Sequence, residues 1–477
     1  MSFTNPKAPM NPDSTNALVR ASLHDRALGA IIGSALGDAI GLYTEFLSAA
    51  QAAEAYPLRI FTLEGPNPTG FKLDSHRSPK EPGQWTDDTD HALLLLLAFL
   101  HTARTPPPTA SADEDTTASN TTTDTTLNTL PTQPDLAARL RIWVQQGLRV
   151  LDTMPLGLGR LVGTVVATKD FLQEPARVAR EQWERTGRRV APNGSLMRTH
   201  PLGLMCLFRS EEETFQAAAE LSRTTHFDPR CVVACAIGTG LVRSVARGEV
   251  RTEEDVDTLI DRAVAWWQGD DSGGAAGGLE LDVEELHRHV RAENLDALKL
   301  DDAQAIGYVY KTLGSGVVLL RLALRRTAET RGGLLAHTKM FEELITDLIM
   351  CGGDADTNAC FAGALLGAYL GYKALPDHWK HDLQHGEWLV EKAEALCQVL
   401  GLKDGSYDGQ QDKDTHLDGG KGMITQQEME GRWMVLQQTA FKRMDEAKAE
   451  ASAKAASSGF GWSLPWQGKP KRGSRAG

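Results

Sequence analysis

Apolar residues recur three and four positions apart over 24–42, 89–103, 135–152, 213–222, 231–246, 305–325, 338–350 and 357–372. That spacing stacks them on one side of an α-helix. Segments that alternate apolar and polar residues, as half-buried strands do, are scarce. The expected fold is therefore all-α, a compact multi-helix bundle. Three stretches interrupt the pattern: 1–17, rich in Pro, Asn and Ser; 105–134, rich in Thr; and 403–422, dense in Asp and Gly. They carry too few large apolar side chains to offset the entropy of ordering them. The organisation this predicts is a disordered N-terminus over 1–17 and one helical domain over 18–402, with 105–134 as an inserted surface loop. A linker follows over 403–422. Met429, Trp433, Leu436, Ala440 and Met444 then recur at helical spacing, which predicts an amphipathic helix over 423–448. A flexible basic tail is expected over 449–477, either a solvated terminus or a docking signal.

Two of the helices share a costly feature. Gly29, Gly33, Gly37 and Gly41 fall on every fourth position, as do Gly363, Gly367 and Gly371. Each glycine inside a helix costs about 1 kcal/mol relative to alanine. A stripe of them needs a compensating gain, and close approach of two backbones supplies one. The expectation is that both helices lie deep in the core, packed on each other.

Composition narrows the function classes. Of 477 residues 41% are hydrophobic, enough for a sizeable core, and the formal charge is −13. That sign argues against general electrostatic binding to nucleic acid. The six cysteines show no C-x-x-C pair and sit among apolar residues, so they read as buried thiols of a reducing compartment rather than a disulfide framework. The longest uninterrupted apolar run, Ala92 to Leu100, is too short to span a bilayer, and the first residues lack an apolar signal core. The expected location is cytoplasmic or nuclear.

The chemistry concentrates at two helix starts. Gln84-Trp85-Thr86-Asp87-Asp88-Thr89-Asp90 runs into HALLLLLAFL, and Gly352-Gly353-Asp354-Ala355-Asp356-Thr357-Asn358 runs into ACFAGALLGAYLGY. Helix capping explains one or two such residues, because Asp and Thr satisfy free backbone N–H groups and complement the dipole. It does not explain three or four of them ahead of a helix apolar enough to be buried. Clustered carboxylates repel, and burying them unpaired is costly; a bound cation resolves both difficulties. Adjacent Asp87 and Asp88 diverge by about 100° on a helix, so they could serve two ions. The donors are all oxygen, which selects Mg²⁺ or Mn²⁺ over zinc, and two carboxylate pairs suit two ions about 3.5–4 Å apart.

Three weaker segments accompany these. Gly37-Asp38-Ala39 leads to Glu45, Pro192-Asn193-Gly194-Ser195-Leu196-Met197-Arg198 contains the turn-forming Asn-Gly pair, and Thr225-His226-Phe227-Asp228-Pro229 places a histidine ahead of a helix. Each alone reads as a turn or a structural residue. In order, however, G-x-A-x-G-D-A at 33–39, W-T-D-D-T at 85–89, N-G-S-L-M-R at 193–198, T-H-x-D-P at 225–229 and G-G-D-x-D-T at 352–357 make the chain resemble the ADP-ribosylglycohydrolase family. The resemblance spans about 24–400, apart from the insertion.

What the resemblance implies is an all-helical fold with a two-metal centre in a cleft. Thr86, Asp87, Asp88, Asp354, Asp356 and Thr357 would be metal ligands, with Glu45 a ligand lying over the site. Asn193, Gly194, Ser195 and Met197 would hold ribose and phosphates, with His226 and Gly353 beside them and Tyr308 as an aromatic wall. Some bacterial relatives carry an Asp just before the Asn-Gly turn, where this chain has Val190, Ala191 and Pro192. The implied reaction is hydrolysis at the anomeric carbon of ADP-ribose attached to a protein side chain, through an oxocarbenium-like transition state. Glu45 is the first candidate for the acid–base role and Asp88 the second, because a tightly coordinated carboxylate carries protons poorly. The expected partners are ADP-ribose and an ADP-ribosylated substrate, with no membrane and no general nucleic-acid binding. The alternative is an inactive ADP-ribose-binding or structural protein on the same fold.

Overall fold

The computed structural model describes residues 17–63, 68–104, 129–269, 279–329 and 334–458. Among these, α-helices and short 3₁₀ turns account for the regular structure, and β-pairing occurs only as isolated bridges. The helices that build the argument are α1 (Ala17–Gly41), α2 (Asp87–Thr102), α3 (Arg160–Ala167), α4 (Pro229–Ala246), α5 (Val309–Glu329) and α6 (Ala355–Leu370).

The two glycine stripes face each other, and α1 and α6 form the centre of the core. A Cβ built on Gly29 would lie 2.2 Å from the Gly367 carbonyl oxygen, and one on Gly37 would lie 2.0 Å from that of Ala359. No side chain fits such a gap, so glycine is what lets the axes come this close. The stripe ends at the site. A Cβ on Gly41 would lie 2.4 Å from the Cα of Asp356, so the packing holds the end of α1 directly against the first turn of α6. Around this pair, α2, α4 and α5 are buried along most of their lengths. The helix α4 is long and apolar enough to cross a membrane by composition, and it lies inside the protein core instead.

The helical pattern overran its element in two places: the segment expected from 305 begins as a helix only at Val309, and the second overrun is larger. The segment expected over 135–152 stops at Gln146, because Gly147 turns the chain with φ 73°. A Cβ on Gly147 would lie 1.8 Å from the Thr153 carbonyl oxygen, so only glycine closes this turn. Residues 403–422, read as a linker from composition, pack into the same compact unit as the helices. Lys392 pairs with Asp412 and Asp414, the Arg139 guanidinium donates to the Thr415 carbonyl, and Gly409 N–H donates to the Ala103 carbonyl. The acids here answer a buried lysine, a pairing that composition does not display.

The described residues fall into two compact units, one drawn from 17–70 and 82–425 and a smaller one from 71–81 and 426–458. In the smaller unit a helix, α7 (Gln426–Ser458), extends past the expected end at 448. Met429 is buried, and Trp433, Leu436, Ala440 and Met444 are partly covered, whereas Met434, Val435 and Phe441 are exposed. The Arg443 guanidinium donates to the Ser78 and Lys80 carbonyls. The expected N-terminal disorder over 1–16, the insertion over 105–128 and the tail from 459 lie outside the described residues.

Candidate active site and metal centre

The helix α2 starts where the sequence reading placed it. Thr86 is its N-cap, and its hydroxyl oxygen accepts from Asp88 N–H. A second acceptor comes from α1: the buried Asp38 carboxylate accepts from Thr86 N–H at 2.9 Å, Thr89 N–H at 3.0 Å and the Thr89 hydroxyl at 2.6 Å. Two residues therefore satisfy the free N–H groups of this helix start, and neither is Asp87 or Asp88. Asp90 is also accounted for, since it accepts from the indole N–H groups of Trp85 and Trp143, each at 2.8 Å.

Asp88 remains. One of its oxygens accepts from the Thr86 hydroxyl at 2.9 Å and the Thr357 hydroxyl at 3.2 Å. The other, Oδ1, is buried and has no hydrogen-bond partner. An orphaned carboxylate oxygen in the core is an expensive feature. Burial, then the charges of Asp38, Asp87 and Asp354, push the Asp88 carboxyl well above the usual carboxylate range.

The start of α6 repeats the situation. Asp354 occupies the N-cap position, yet its side chain makes no capping hydrogen bond. It instead accepts from the Asn193 side-chain amide at 2.9 Å. Asp356 accepts from Thr357 N–H at 2.8 Å. Burial, then Glu45, pushes both acids upward. Two trios result: ligand oxygens of Asp38, Asp88 and Asp356 lie within 4.8 Å of one another, as do those of Glu45, Asp354 and Asp356. Both contain Asp356, so the trios share a member. The arrangement could hold divalent cations, because the orphaned oxygen, the repelling charges and the all-oxygen donor set each call for one.

The acids form one wall of a cleft of about 550 Å³. Glu45, Phe46, Asp87, Asp88, Asn193, Gly194, Met197, His226, Asp354, Asp356 and Thr357 line it. The two loops beside it are stapled by isolated bridges, Ser48 with Gly352 and Pro192 with Tyr308. The first staple holds Phe46 at φ 59°, a strained conformation for a bulky residue. Phe46 N–H donates to the Gly353 carbonyl at 2.6 Å. Asn193 does more than turn the chain: its amide nitrogen lies 2.9 Å from both the Thr312 hydroxyl and Asp354. Thr312 then donates to the Asn358 side chain.

Three residues expected at the ligand sit elsewhere. Ser195 is fully buried, and its oxygen accepts from the Ser222 hydroxyl at 3.1 Å and the Cys235 thiol at 3.3 Å. Tyr308 contributes backbone to the staple, while its hydroxyl donates to Glu285 at 2.7 Å and the Arg230 guanidinium lies over its ring. Gly353 acts through its backbone at φ 73°, where a Cβ would lie 2.1 Å from the Leu300 carbonyl oxygen. Other residues at the site were missed. Asp38 completes one trio, and Gly157, Gly159, Arg160, Gln182 and Thr186 line the cleft. The signal for some of these was present in Pro155-Leu156-Gly157-Leu158-Gly159-Arg160, a glycine pair ahead of α3. Gly157 is required, because at φ 90° a Cβ there would lie 2.1 Å from an Asp87 oxygen.

Comparison with known proteins identifies the family. The ADP-ribosylglycohydrolase family profile matches residues 19–406. The chain is 23% identical over 380 residues to the ADP-ribosylarginine hydrolase Tri1 of Serratia proteamaculans (strain 568), covering 80% of this chain and 81% of that protein. It is also 23% identical over 387 residues to the ADP-ribosyl-[dinitrogen reductase] glycohydrolase of Rhodospirillum rubrum, covering 80% and 98%. A solved chain of an ADP-ribosylglycohydrolase-related protein complex aligns with TM-score 0.47 at 24% identity, over 79% of this chain and 99% of that one. The profile match covers most of the chain and takes in both acidic helix starts, the Asn-Gly turn and His226, and it makes this protein a member of the ADP-ribosylglycohydrolase family.

Proposed function

We propose that the protein is a divalent-cation-dependent hydrolase that cleaves the glycosidic bond at the anomeric carbon of ADP-ribose conjugated to a protein side chain, releasing ADP-ribose. The observation that carries this reading is the meeting of five buried acids, Asp38 and Glu45 on and just after α1, Asp88 in α2, and Asp354 and Asp356 at the start of α6, at the foot of a cleft that all but Asp38 line, with Asp88 Oδ1 left without a partner. Asp38, which caps the start of α2 from within α1, and Asp354, at the N-cap of α6, also belong to the trios.

Thr86, Asp87, Asp88, Asp354, Asp356, Thr357 and Glu45, with Asp38 completing one trio, would hold two Mg²⁺ or Mn²⁺ ions. Bound there, the ions would supply positive charge that fixes sugar hydroxyls and acidifies water. Asn193 holds Asp354 in place and, with Gly194 and Met197, forms the wall against which ribose and phosphates lie. The first turn of α3, beside Arg160, offers free N–H groups suited to the diphosphate. Glu45 takes the proton of the attacking water as the water oxygen bonds to the anomeric carbon, and passes it to the nitrogen or oxygen of the leaving group, whose bond to that carbon breaks. Asp88 is the second candidate for that role.

The test is release of free ADP-ribose from arginine-linked and serine-linked substrates with Mg²⁺, Mn²⁺ or EDTA, beside the Asp87→Asn variant. Cation-dependent release lost in the variant supports the reading, and the preferred linkage names the substrate. No release from either linkage, with ADP-ribose still bound, would count for a binding protein on this fold.

A further inference from the structure

Arg198 is a buried cation with an unusual set of partners. It is 1% exposed, and among the described residues its guanidinium finds only neutral acceptors. Nη1 donates to the Gly194 carbonyl at 3.2 Å, and Nη2 donates to the Leu221 carbonyl at 3.3 Å and to the Thr225 hydroxyl at 2.8 Å. An arginine buried without a carboxylate costs free energy that its three hydrogen bonds offset in part. Its position shows what that cost provides. The Thr225 hydroxyl oxygen lies 2.7 Å from His226 Nδ1, and the His226 edge carrying Nε2 faces Gly194 on the cleft wall, where a Cβ would be 3.2 Å from Nε2.

The direction of each bond follows from the donor inventory. Guanidinium has no acceptor, so Arg198 donates to Thr225. A threonine hydroxyl has one hydrogen, and the only acceptor described for it here is His226 Nδ1. Thr225 is fully buried, so leaving that hydrogen unpaired would add a further cost. The hydroxyl therefore donates to Nδ1, and Nδ1 carries no proton.

We propose that Arg198 is a positioning residue that acts through Thr225 to lock His226 in its Nε2–H tautomer, so that the ring presents a fixed neutral donor to an acceptor oxygen of the ligand in the cleft. Burial, then the neighbouring charges of Arg198 and His91, hold the His226 imidazolium well below its ordinary range, in keeping with a ring that stays neutral. On this account His226 orients the ligand and does not take a proton from it. The inference rests on the ADP-ribose reading for the ligand, while the tautomer is a property of the free protein.

Two measurements on the full chain test it. Long-range ¹⁵N–¹H spectra of histidine-labelled protein, with His226 assigned by loss of its signals in His226→Gln, report which ring nitrogen is protonated. The expected result is Nε2–H in the wild type and in Thr225→Ser, and a mixed or Nδ1–H ring in Thr225→Val. Calorimetry with ADP-ribose in Mg²⁺ buffer should then show affinity about tenfold or more weaker in Thr225→Val, and near wild type in Thr225→Ser. A wild-type ring protonated at Nδ1, or charged at neutral pH, overturns the proposal without any variant. So does a Thr225→Val protein that keeps both the pure Nε2–H ring and full affinity. An Nε2–H ring that Thr225→Val disturbs, in a protein that binds no ADP-ribose, supports the lock and counts against the proposed function instead.

Discussion

The helix Glu253–Gln268 and α2 both begin with a threonine N-cap followed by three acids in the first turn. At Glu253–Gln268 the composition does what capping rules say. Thr252 and Asp255 form a reciprocal capping box, and Arg325 pairs with Glu253 at the surface. The Arg325 guanidinium holds Glu253 below its ordinary range. Partial burial pushes Asp255 up, but the backbone N–H groups of Arg251 and Thr252 outweigh it and hold Asp255 low. At α2 two of the three acids, Asp88 and Asp90, are buried, the capping is done by Thr86 and by Asp38 from another helix, and Asp88 is driven upward by burial and by its neighbours. One set of acids is satisfied by the chain. In the other, Asp90 is satisfied by two indoles, but Asp88 is set among repelling charges with one oxygen lacking a hydrogen-bond partner, an arrangement that could take its counter-charge from a divalent cation.

The largest effect expected from breaking this contrast is on catalysis. Glu45→Gln should lower ADP-ribose release about 10²- to 10⁴-fold in a turnover assay, while Glu253→Gln should leave turnover unchanged. Next is the packing that sets the two acidic turns side by side. Gly367→Ala would force a Cβ to 1.9 Å from the Gly29 carbonyl oxygen. It should cost about 2–3 kcal/mol in denaturant unfolding and lower activity by displacing the first turn of α6 from Asp38 and Glu45.

A smaller effect with the opposite sign separates the two helix starts more sharply. Without divalent cation, Asp88→Asn should raise the melting temperature by about 1–3 °C at pH 8, because it removes a buried repelling charge. Glu253→Gln should destabilise by at most about 1 kcal/mol, the range of a surface pair. Their pH dependences run in opposite directions. Asp88 and Asp356 have raised values when folded, so the folded state binds more protons than the unfolded one. Stability in EDTA therefore falls as pH rises from the ordinary carboxylate range through their raised values. Glu253 and Asp255 have lowered values, so their contribution is present above the ordinary range and is lost as pH falls through the lowered one. Calorimetric scans of the wild type, Asp88→Asn and Glu253→Gln from pH 4 to 9 read both.

Much of the architecture was legible because it is periodic. The glycine stripes gave the central helix pair, and the face of α7 from Met429 to Met444 is its covered side. The acids at 86–88 and 354–357 were legible because too many of them precede apolar helices for capping to use. Side-chain direction in loops was not. Ser195 and Tyr308 lie one or two residues from cleft-facing or cleft-shaping positions, yet turn to Ser222 and Glu285, partners fixed only by tertiary packing. Asp38 looked like part of a glycine-rich helix, and its role depends on a contact 48 residues along the chain.

The central claim is that the acids of α1, α2 and α6 form a cation site. The direct measurement is calorimetric titration of Mn²⁺ into EDTA-stripped protein, comparing the wild type with Asp356→Asn and Glu253→Gln. The account predicts saturable binding in the wild type, its retention in Glu253→Gln and its loss in Asp356→Asn, the residue common to both trios. No saturable binding in the wild type, or binding that survives Asp356→Asn unchanged, would contradict it.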